Sequence, residues 1–267
     1  MTKRLDVIVC QSLGVSREYA KELIQAGKVF VDGNMIAKSG VKFTENTQVY
    51  VDAHAPKFVS RGGLKLEKAI DSFGINLQGL NCLDIGAATG GFTDCMLQKG
   101  ANAVLAVENG HGQMSKRLLA DPRVISLEGL DIRHLQDCHM PFAPQFIAVD
   151  LSFISITHVL PKISQLLSPN QEAVLLIKPQ FEVGRGKVGK NGVVKNPKDH
   201  VVVLKTICGI AEEHGFTPIG LVFSPIKGQN GNIEYLLHTT NKHLEHNISS
   251  SKIETVVKVA FQEVGKK

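Results

Sequence analysis

Apolar and polar positions alternate in two different ways along this chain. Up to about residue 53 the apolar runs are short and closely punctuated. Residues 4–14 read as a helix closed by Gly14. Ser16 reads as the N-cap of a second helix, with Arg17, Glu18, Lys21 and Glu22 on its polar side and Ala20, Leu23 and Ile24 on its apolar side. Gly27 stops that helix. Residues 29–31 predict a strand, Asp32-Gly33 a tight turn, residues 35–36 the return, and residues 48–51 a third strand. Residues 54–60 read as a linker. A helix then opens near Ser60, a plausible cap, although Gly62 and Gly63 weaken its start unless close approach is required there.

From Leu80 onward apolar strands alternate with amphipathic helices. Strands are predicted at 82–85, 103–107, 124–127, 146–149, 173–177, 217–223 and 233–237. Helices are predicted at 91–99, up to Leu119, and at 157–167, 199–213 and 250–264, with 136–144 and 184–198 as loops. Strand and helix in alternation predict an α/β fold with a largely parallel sheet. The expected organisation is a small α+β unit over 1–53, the linker over 54–60, and an α/β domain with a C-terminal helix over 61–267.

Composition adds little to this picture until it is divided along the chain. The 267 residues are 43% hydrophobic and 21% charged, which suits a globular chain. No apolar run reaches the roughly 20 residues that span a bilayer, and no membrane partner is expected. Five scattered cysteines without a Cys-x-x-Cys pair argue for a reducing compartment, the cytoplasm, and against a metal site. Net charge is +5, and residues 1–68 hold eleven Lys/Arg against seven Asp/Glu, so most of the excess sits at the N-terminal end. A basic appendage on a near-neutral body suggests a nucleic-acid partner.

Candidate chemistry centres on residues 82–94. A short apolar strand breaks into a loop of small residues with Gly86, Gly90 and Gly91, and a helix follows. The spacing Asp-x-Gly-x-x-x-Gly-Gly differs from the Gly-x-Gly-x-x-Gly of dinucleotide sites. With Asp84 at the strand end, a cationic or hydroxyl-rich ligand is expected, and S-adenosyl-L-methionine fits. Its expected contacts are Asp84, Gly86, Ala87, Thr89, Gly90, Gly91 and Phe92, with Glu108 at the end of the next strand for ribose hydroxyls and Asp131 near adenine. Asp150 and Lys178 each follow an apolar strand at the edge where α/β sheets bind ligands. Asp-Leu-Ser-Phe at 150–153 argues against base N-methylation, and no cysteine is placed for cytosine C5 transfer. The basic loop after Gly184, with Arg185, Lys187 and Lys190, reads as a phosphate clamp.

Two resemblances sharpen these readings. The N-terminal pattern Arg-Leu-Asp, then Ser-Arg-Glu-x-Ala-x-x-Leu-Ile-x-x-Gly-x-Val-x-Val-Asp-Gly, resembles the alpha-L RNA-binding domain of a small-subunit ribosomal protein and of many pseudouridine synthases. That resemblance implies RNA contacts at Arg4, Arg17 and Lys21, with Lys28 beside them; Arg61 is a further candidate. The joint occurrence of Lys65, Asp150, Lys178 and Glu234 resembles the Lys-Asp-Lys-Glu tetrad of FtsJ-like ribose 2'-O-methyltransferases. With Ser-Arg-Gly-Gly-Leu-Lys-Leu, Ser-Phe-Ile-Ser and Lys-Pro-Gln-Phe-Glu, the chain is similar over nearly its whole length to hemolysin-A-type (TlyA) rRNA methyltransferases. The resemblance implies a Rossmann-like S-adenosylmethionine-dependent fold. It also implies methylation of a cytidine 2'-hydroxyl in 23S rRNA, in some members also in 16S rRNA, with rRNA or ribosomal subunits as partners. Lys178 is expected as the base, Lys65 as the neighbouring cation, Asp150 as the orienting carboxylate, and Glu234 as the group that positions Lys65 or the ribose. Two positions depart from the family pattern: Glu108 stands where many relatives have Asp, and His111 where many have Tyr. A membrane-active hemolysin and a ribosome-binding assembly factor without activity are the alternative readings.

Overall fold

The computed structural model describes residues 2–25, 27–44, 47–52, 57–242, 244 and 248–264, without the side chains of Arg185 and Gln229. Residues 54–56 of the expected linker lie outside the described residues.

The N-terminal part comprises β1 (Thr2–Arg4), α1 (Leu5–Leu13), α2 (Arg17–Gln25), β2 (Val29–Val31), β3 (Asn34–Met35), β4 (Lys42–Thr44) and β5 (Val49–Val51). Its core is a cluster of its own: Leu5, Val9, Ala20, Leu23, Ile24, Val29 and Val31. The apolar side read for the second helix is the face that packs here. Ser16 Oγ accepts from the Tyr19 N–H at 3.2 Å, as a cap should. β2 pairs antiparallel with both β3 and β5. The pairing of β1 with β4 was not expected: Thr2–Arg4 extend before the helix instead of joining it. Two three-residue runs of mixed polarity carry no period that would announce a strand.

The larger part begins with α3 (Gly62–Phe73) and continues through β6 (Asn81–Ile85), α4 (Gly91–Gln98), β7 (Ala103–Glu108), α5 (Lys116–Leu119), β8 (Val124–Glu128), β9 (Phe146–Val149), α6 (Leu160–Leu166), β10 (Glu172–Ile177), α7 (Pro179–Glu182), α8 (Pro197–Glu213), β11 (Thr217–Phe223), β12 (Tyr235–Thr240) and α9 (Ser250–Glu263). Seven strands form one sheet in the order β11-β12-β10-β9-β6-β7-β8. All run parallel except β12, which is antiparallel to both its neighbours. Side-chain alternation sends Leu83, Ile85, Leu105 and Val107 into a core shared with α6, α8 and α9, and Cys82, Val104 and Ala106 into one shared with α3 and α4. The chain order reverses between β6 and β9. At such a point the loops leaving two neighbouring strands diverge and open a crevice at their carboxyl ends.

Three local expectations need correction. Ser60 does not cap α3: Arg61 holds the N-cap position and no side chain caps it. The last strand starts at Tyr235, so Glu234 lies just before β12 rather than inside it. The segment before α6 starts as a 3-10 turn, Ile156–His158, and the helix proper begins only at Leu160, with Pro161 in its first turn. The two glycines opening α3 are explained by contact. A Cβ on Gly63 would lie 2.3 Å from the ring of Phe58, a buried aromatic at the junction of the two parts.

Gly63→Ala is therefore expected to destabilise the protein by about 1–3 kcal/mol through overpacking, read as a lowered midpoint in thermal unfolding. An unchanged midpoint would mean that Phe58 moves aside freely.

Candidate active site

Four charged side chains converge above the crevice. Lys65 enters from the first turns of α3, Asp150 directly follows β9, Lys178 directly follows β10, and Glu234 directly precedes β12. Because β9 and β10 are parallel neighbours, Asp150 and Lys178 leave the sheet on the same edge. Because β12 is antiparallel, its start lies on that edge too, which brings Glu234 into the group. Lys65 Nζ donates to Glu234 Oε2 at 2.6 Å. Lys178 Nζ lies 2.6 Å from Asp150 Oδ1 and donates to Ser152 Oγ at 2.7 Å. All four line one cavity of about 910 Å³.

The electrostatics differ between the two pairs. Burial pulls the Lys65 ammonium down, but Asp150 and Glu234 outweigh it and hold its pKa above the ordinary value. Lys65 therefore stays protonated. Burial pushes the Asp150 carboxyl up, but Lys178 and Lys65 outweigh it and hold the group below its ordinary value. Glu234 is only 2% exposed, and a Cβ on Gly228 would collide with its carboxylate, so the loop before β12 closes over it.

The loop after β6 forms the neighbouring wall. Gly86, Ala87, Thr89, Gly91 and Phe92 line the cavity, as do Glu108 and Asp131. Gly86 has a φ of +84°, and a Cβ there would lie 2.3 Å from the Asp150 carbonyl oxygen, so only glycine lets the β6 and β9 exits approach this closely. Glu108 accepts from the Ala88 N–H at 3.0 Å and the Gly110 N–H at 2.7 Å, tying that loop to the end of β7. Side-chain hydrogen bonds from Arg133 hold Asp131 down to about 2. Two expected contacts are not on the cavity wall. Gly90 faces Leu118 and Met114. Asp84 is fully buried beneath the loop, where its Oδ2 accepts from Thr93 Oγ1 at 2.6 Å and its Oδ1 has no described partner. Burial pushes its pKa up to about 7.

The expected RNA contacts are dispersed. Arg17 and Arg61 reach the cavity rim. Arg61 pairs with Glu22 of α2 at 2.7 Å. Arg4 and Arg17 both bind the fully buried Asp6, at 3.0 and 3.1 Å, so each also has a structural partner. Lys28 is exposed and Lys21 half-buried, and neither is on the cavity wall. Lys187 pairs with Asp199 at 2.9 Å, and Lys190 is exposed. The side chain of Arg185 lies outside those described.

Sequence reasoning missed several lining residues. Phe153 stands at the mouth, 83% exposed, with a φ of +66° and its ring 5.3 Å from that of Phe181. A phenylalanine in left-handed backbone is a conformation that the surroundings must enforce. Ser152 and Arg133 also line the cavity. Ser152 and Phe153 enter the sequence reading only as part of the Ser-Phe-Ile-Ser resemblance and of the Asp-Leu-Ser-Phe segment, with no role assigned, and nothing in the local pattern marks Arg133. The N-terminal part contributes too: Ser16, Arg17 and Glu18 form part of the same wall.

Comparison with known proteins gives a consistent result. The family model for FtsJ-like methyltransferases matches residues 58–241, and that for the S4 domain matches residues 3–49. Hemolysin A of Brachyspira hyodysenteriae is 42% identical over 226 residues, covering 84% of this chain and 93% of the relative. The 16S/23S rRNA (cytidine-2'-O)-methyltransferase TlyA of Mycobacterium tuberculosis is 38% identical over 257 residues, covering 96% of each chain. A solved structure of a hemolysin-named protein from Streptococcus thermophilus is 39% identical, with a TM-score of 0.82, covering 99% of this chain and 98% of that one.

The buried state of Asp84 has a consequence for stability. Its folded pKa of about 7 lies above that of an unfolded aspartate, so the folded state binds this proton more tightly. The sign follows: the proton stabilises the fold at low pH, and that contribution is lost as pH rises from about 4 through about 7. Asp84→Asn keeps an acceptor for Thr93 and removes the titration. The stability of the variant relative to the natural protein is expected to rise across that window in denaturant unfolding. A pH-independent difference would contradict the assignment.

Proposed function

The chain belongs to the FtsJ-like methyltransferase family, and from that premise we propose that it methylates the 2'-hydroxyl of a cytidine in ribosomal RNA, 23S first and 16S as the second candidate, using S-adenosylmethionine. One observation carries this reading: two lysine–carboxylate pairs, Lys65–Glu234 and Lys178–Asp150, face a single cavity at the carboxyl edge of the sheet. The relatives named as rRNA cytidine-2'-O-methyltransferases support the substrate. Ribosomal RNA as substrate also implies work in the cytoplasm.

The cavity suits that cofactor. Glu108 presents a carboxylate where ribose hydroxyls bind in such folds, Asp131 flanks it, and the small residues from Gly86 to Gly91 allow close approach. When bound, S-adenosylmethionine supplies an electrophilic methyl group. Asp84 acts from beneath, holding Thr93 and with it the start of α4.

A ribose hydroxyl is a weak nucleophile, so the protein must orient it and remove its proton. Lys65 is held protonated by two carboxylates, and Lys178, at the end of β10 on the cavity wall, is the amine assigned to accept the proton. Asp150 fixes Lys178 by its ion pair, and Glu234 fixes Lys65, whose charge stands beside the reacting oxygen. The exposed Phe153, backed by Phe181, offers an aromatic face to the target base. The S4 domain brings RNA along α2, where Arg17 leads to the rim and Lys21 and Lys28 add charge. Lys187 and Lys190 extend the basic surface on the other side.

A hemolysin name is carried by some relatives. Among the described residues no helix is long and apolar enough to cross a membrane, and no observation favours that reading over methyl transfer.

Lys178→Ala is expected to bind S-adenosylmethionine as the natural protein does in calorimetry while losing about 10²- to 10⁴-fold in ribose methylation. Mass spectrometry of 23S and 16S rRNA from cells with and without the gene locates the product. Near-normal turnover by the variant would overturn the assignment. Replacing Lys21 and Lys28 together with alanine is expected to weaken rRNA binding and to lower the slope of log affinity against log salt by roughly 1 for each phosphate that is no longer neutralised. An unchanged slope would remove both from the RNA interface.

A further inference from the structure

The lysine read as the base is held by more than its carboxylate. Lys178 is 8% exposed; its Nζ donates a hydrogen bond to Ser152 Oγ at 2.7 Å, while Asp150 Oδ1, 2.6 Å away, is an ion-pair neighbour outside hydrogen-bond geometry. The nitrogen is tetrahedral: beyond its bond to Cε it has three directions. A neutral amine carries two N–H groups and one lone pair. One N–H is fixed on Ser152 Oγ, and the charge of Asp150 draws the second to its side, so the lone pair takes the remaining direction. Among the described residues no other hydrogen-bond acceptor takes the amine; the Phe181 ring lies 6.0 Å away, on the cavity wall. With Asp150 alone, rotation about Cε–Nζ would let the lone pair and the second N–H exchange places. We propose that Ser152 is a positioning residue, which fixes the lone pair of Lys178 toward the substrate hydroxyl. This rests on the reading of Lys178 as the base.

A second, independent feature ties down the segment that follows Ser152. Glu182, one helical turn beyond Lys178, accepts from Ser155 Oγ at 2.5 Å and from the Ile156 N–H at 2.9 Å. The exits of β9 and β10 are thus tied together twice, once through Lys178 and Ser152 and once through Glu182 and the 155–156 turn. Between the two ties Phe153 adopts its left-handed φ of +66° and turns outward. The same turn of the backbone leaves Ser152 exposed on the cavity wall while its hydroxyl reaches the buried amine. An exposed serine contributes no core packing, so its cost to the fold if truncated is small. Its hydroxyl has one described partner, the amine of Lys178.

The test compares Ser152→Ala, Ser152→Thr, Lys178→Ala and the double variant Ser152→Ala/Lys178→Ala in the full chain. It measures kcat and KM with rRNA, S-adenosylmethionine binding by calorimetry, and the unfolding midpoint. Ser152→Ala is expected to lower kcat by about 10- to 100-fold, the range that misplacement of a reacting group produces, without moving KM, cofactor affinity or the midpoint. Ser152→Thr, which keeps the hydroxyl, is expected to recover most of the loss. In the Lys178→Ala background the serine substitution is expected to have no further effect. A wild-type kcat for Ser152→Ala, a loss confined to KM, or no recovery in Ser152→Thr overturns the proposal. An active Lys178→Ala instead overturns the reading of Lys178 as the base, and the proposal with it. An inactive Lys178→Ala beside a fully active Ser152→Ala overturns the role of Ser152 alone.

Discussion

Four ionisable groups share one buried corner, and the rest of the molecule is arranged so that they can. Taking a lysine or a carboxylate out of water costs several kcal/mol even after relaxation, and a lone buried charge would change its protonation state instead. Two lysines and two carboxylates, each lysine nitrogen 2.6 Å from a carboxylate oxygen, ease that cost without restoring contact with solvent. The arrangement also separates the two lysines chemically. Lys65 feels two carboxylates and keeps its proton; Lys178 has one carboxylate and one hydroxyl. The proposed difference in their roles follows this difference in neighbours.

Delivering these groups places demands on topology. Parallel β9 and β10 send their following residues to one edge, but a fourth group from the far end of the sequence needs a strand that starts on that edge. The antiparallel β12, inserted between β10 and β11, supplies it. The remaining member comes from α3, which packs on α4 directly after the loop that leaves β6. The tetrad therefore depends on the sheet order as a whole, and no single segment carries it. The backbone at Gly86 meets the Asp150 carbonyl in the same corner, so the loop wall and the tetrad share atoms in contact.

Much of this was legible in the chain itself. Alternation of apolar strands with helices gave the α/β class, and the apolar runs ending in Asp150 and Lys178 gave both groups at the sheet edge before any partner was visible. Ser16 announced its helix by a cap that forms as expected. What stayed hidden is non-local. Lys65 has the local pattern of a surface helix residue and is singled out only by resemblance; Asp150 and Glu234, the latter 169 positions away, explain its burial. Asp84 read as a ligand contact because it ends a strand beside glycines, yet alternation turns it beneath the loop toward Thr93. Ser152 and Phe153 gain meaning from a left-handed turn that no pattern of polarity encodes. β1 and β4 were invisible for the opposite reason: three-residue strands are too short to show a period.

The placement of the N-terminal part bears on how substrate selection and chemistry are joined. A basic module on a free tether would raise the local concentration of RNA but would leave the orientation of any ribose to chance. Here the module is docked. The Ser16 N–H donates to the Val59 carbonyl at 2.9 Å, Ser115 Oγ donates to the Gly14 carbonyl at 3.1 Å, and Arg61 pairs with Glu22. Asp94 at the start of α4 adds a further hold, accepting from the Val59 N–H at 2.8 Å and binding Arg117. The turn that joins α1 to α2 thus sits on the same frame as the cofactor loop, and Ser16, Arg17 and Glu18 form part of the cavity wall. On the proposed function, RNA held along α2 is held at a fixed distance from Lys178. On that reading, selecting the polymer and aiming the hydroxyl become one geometric act, and specificity rests on the rigidity of this junction as much as on the residues proposed to touch the ribose.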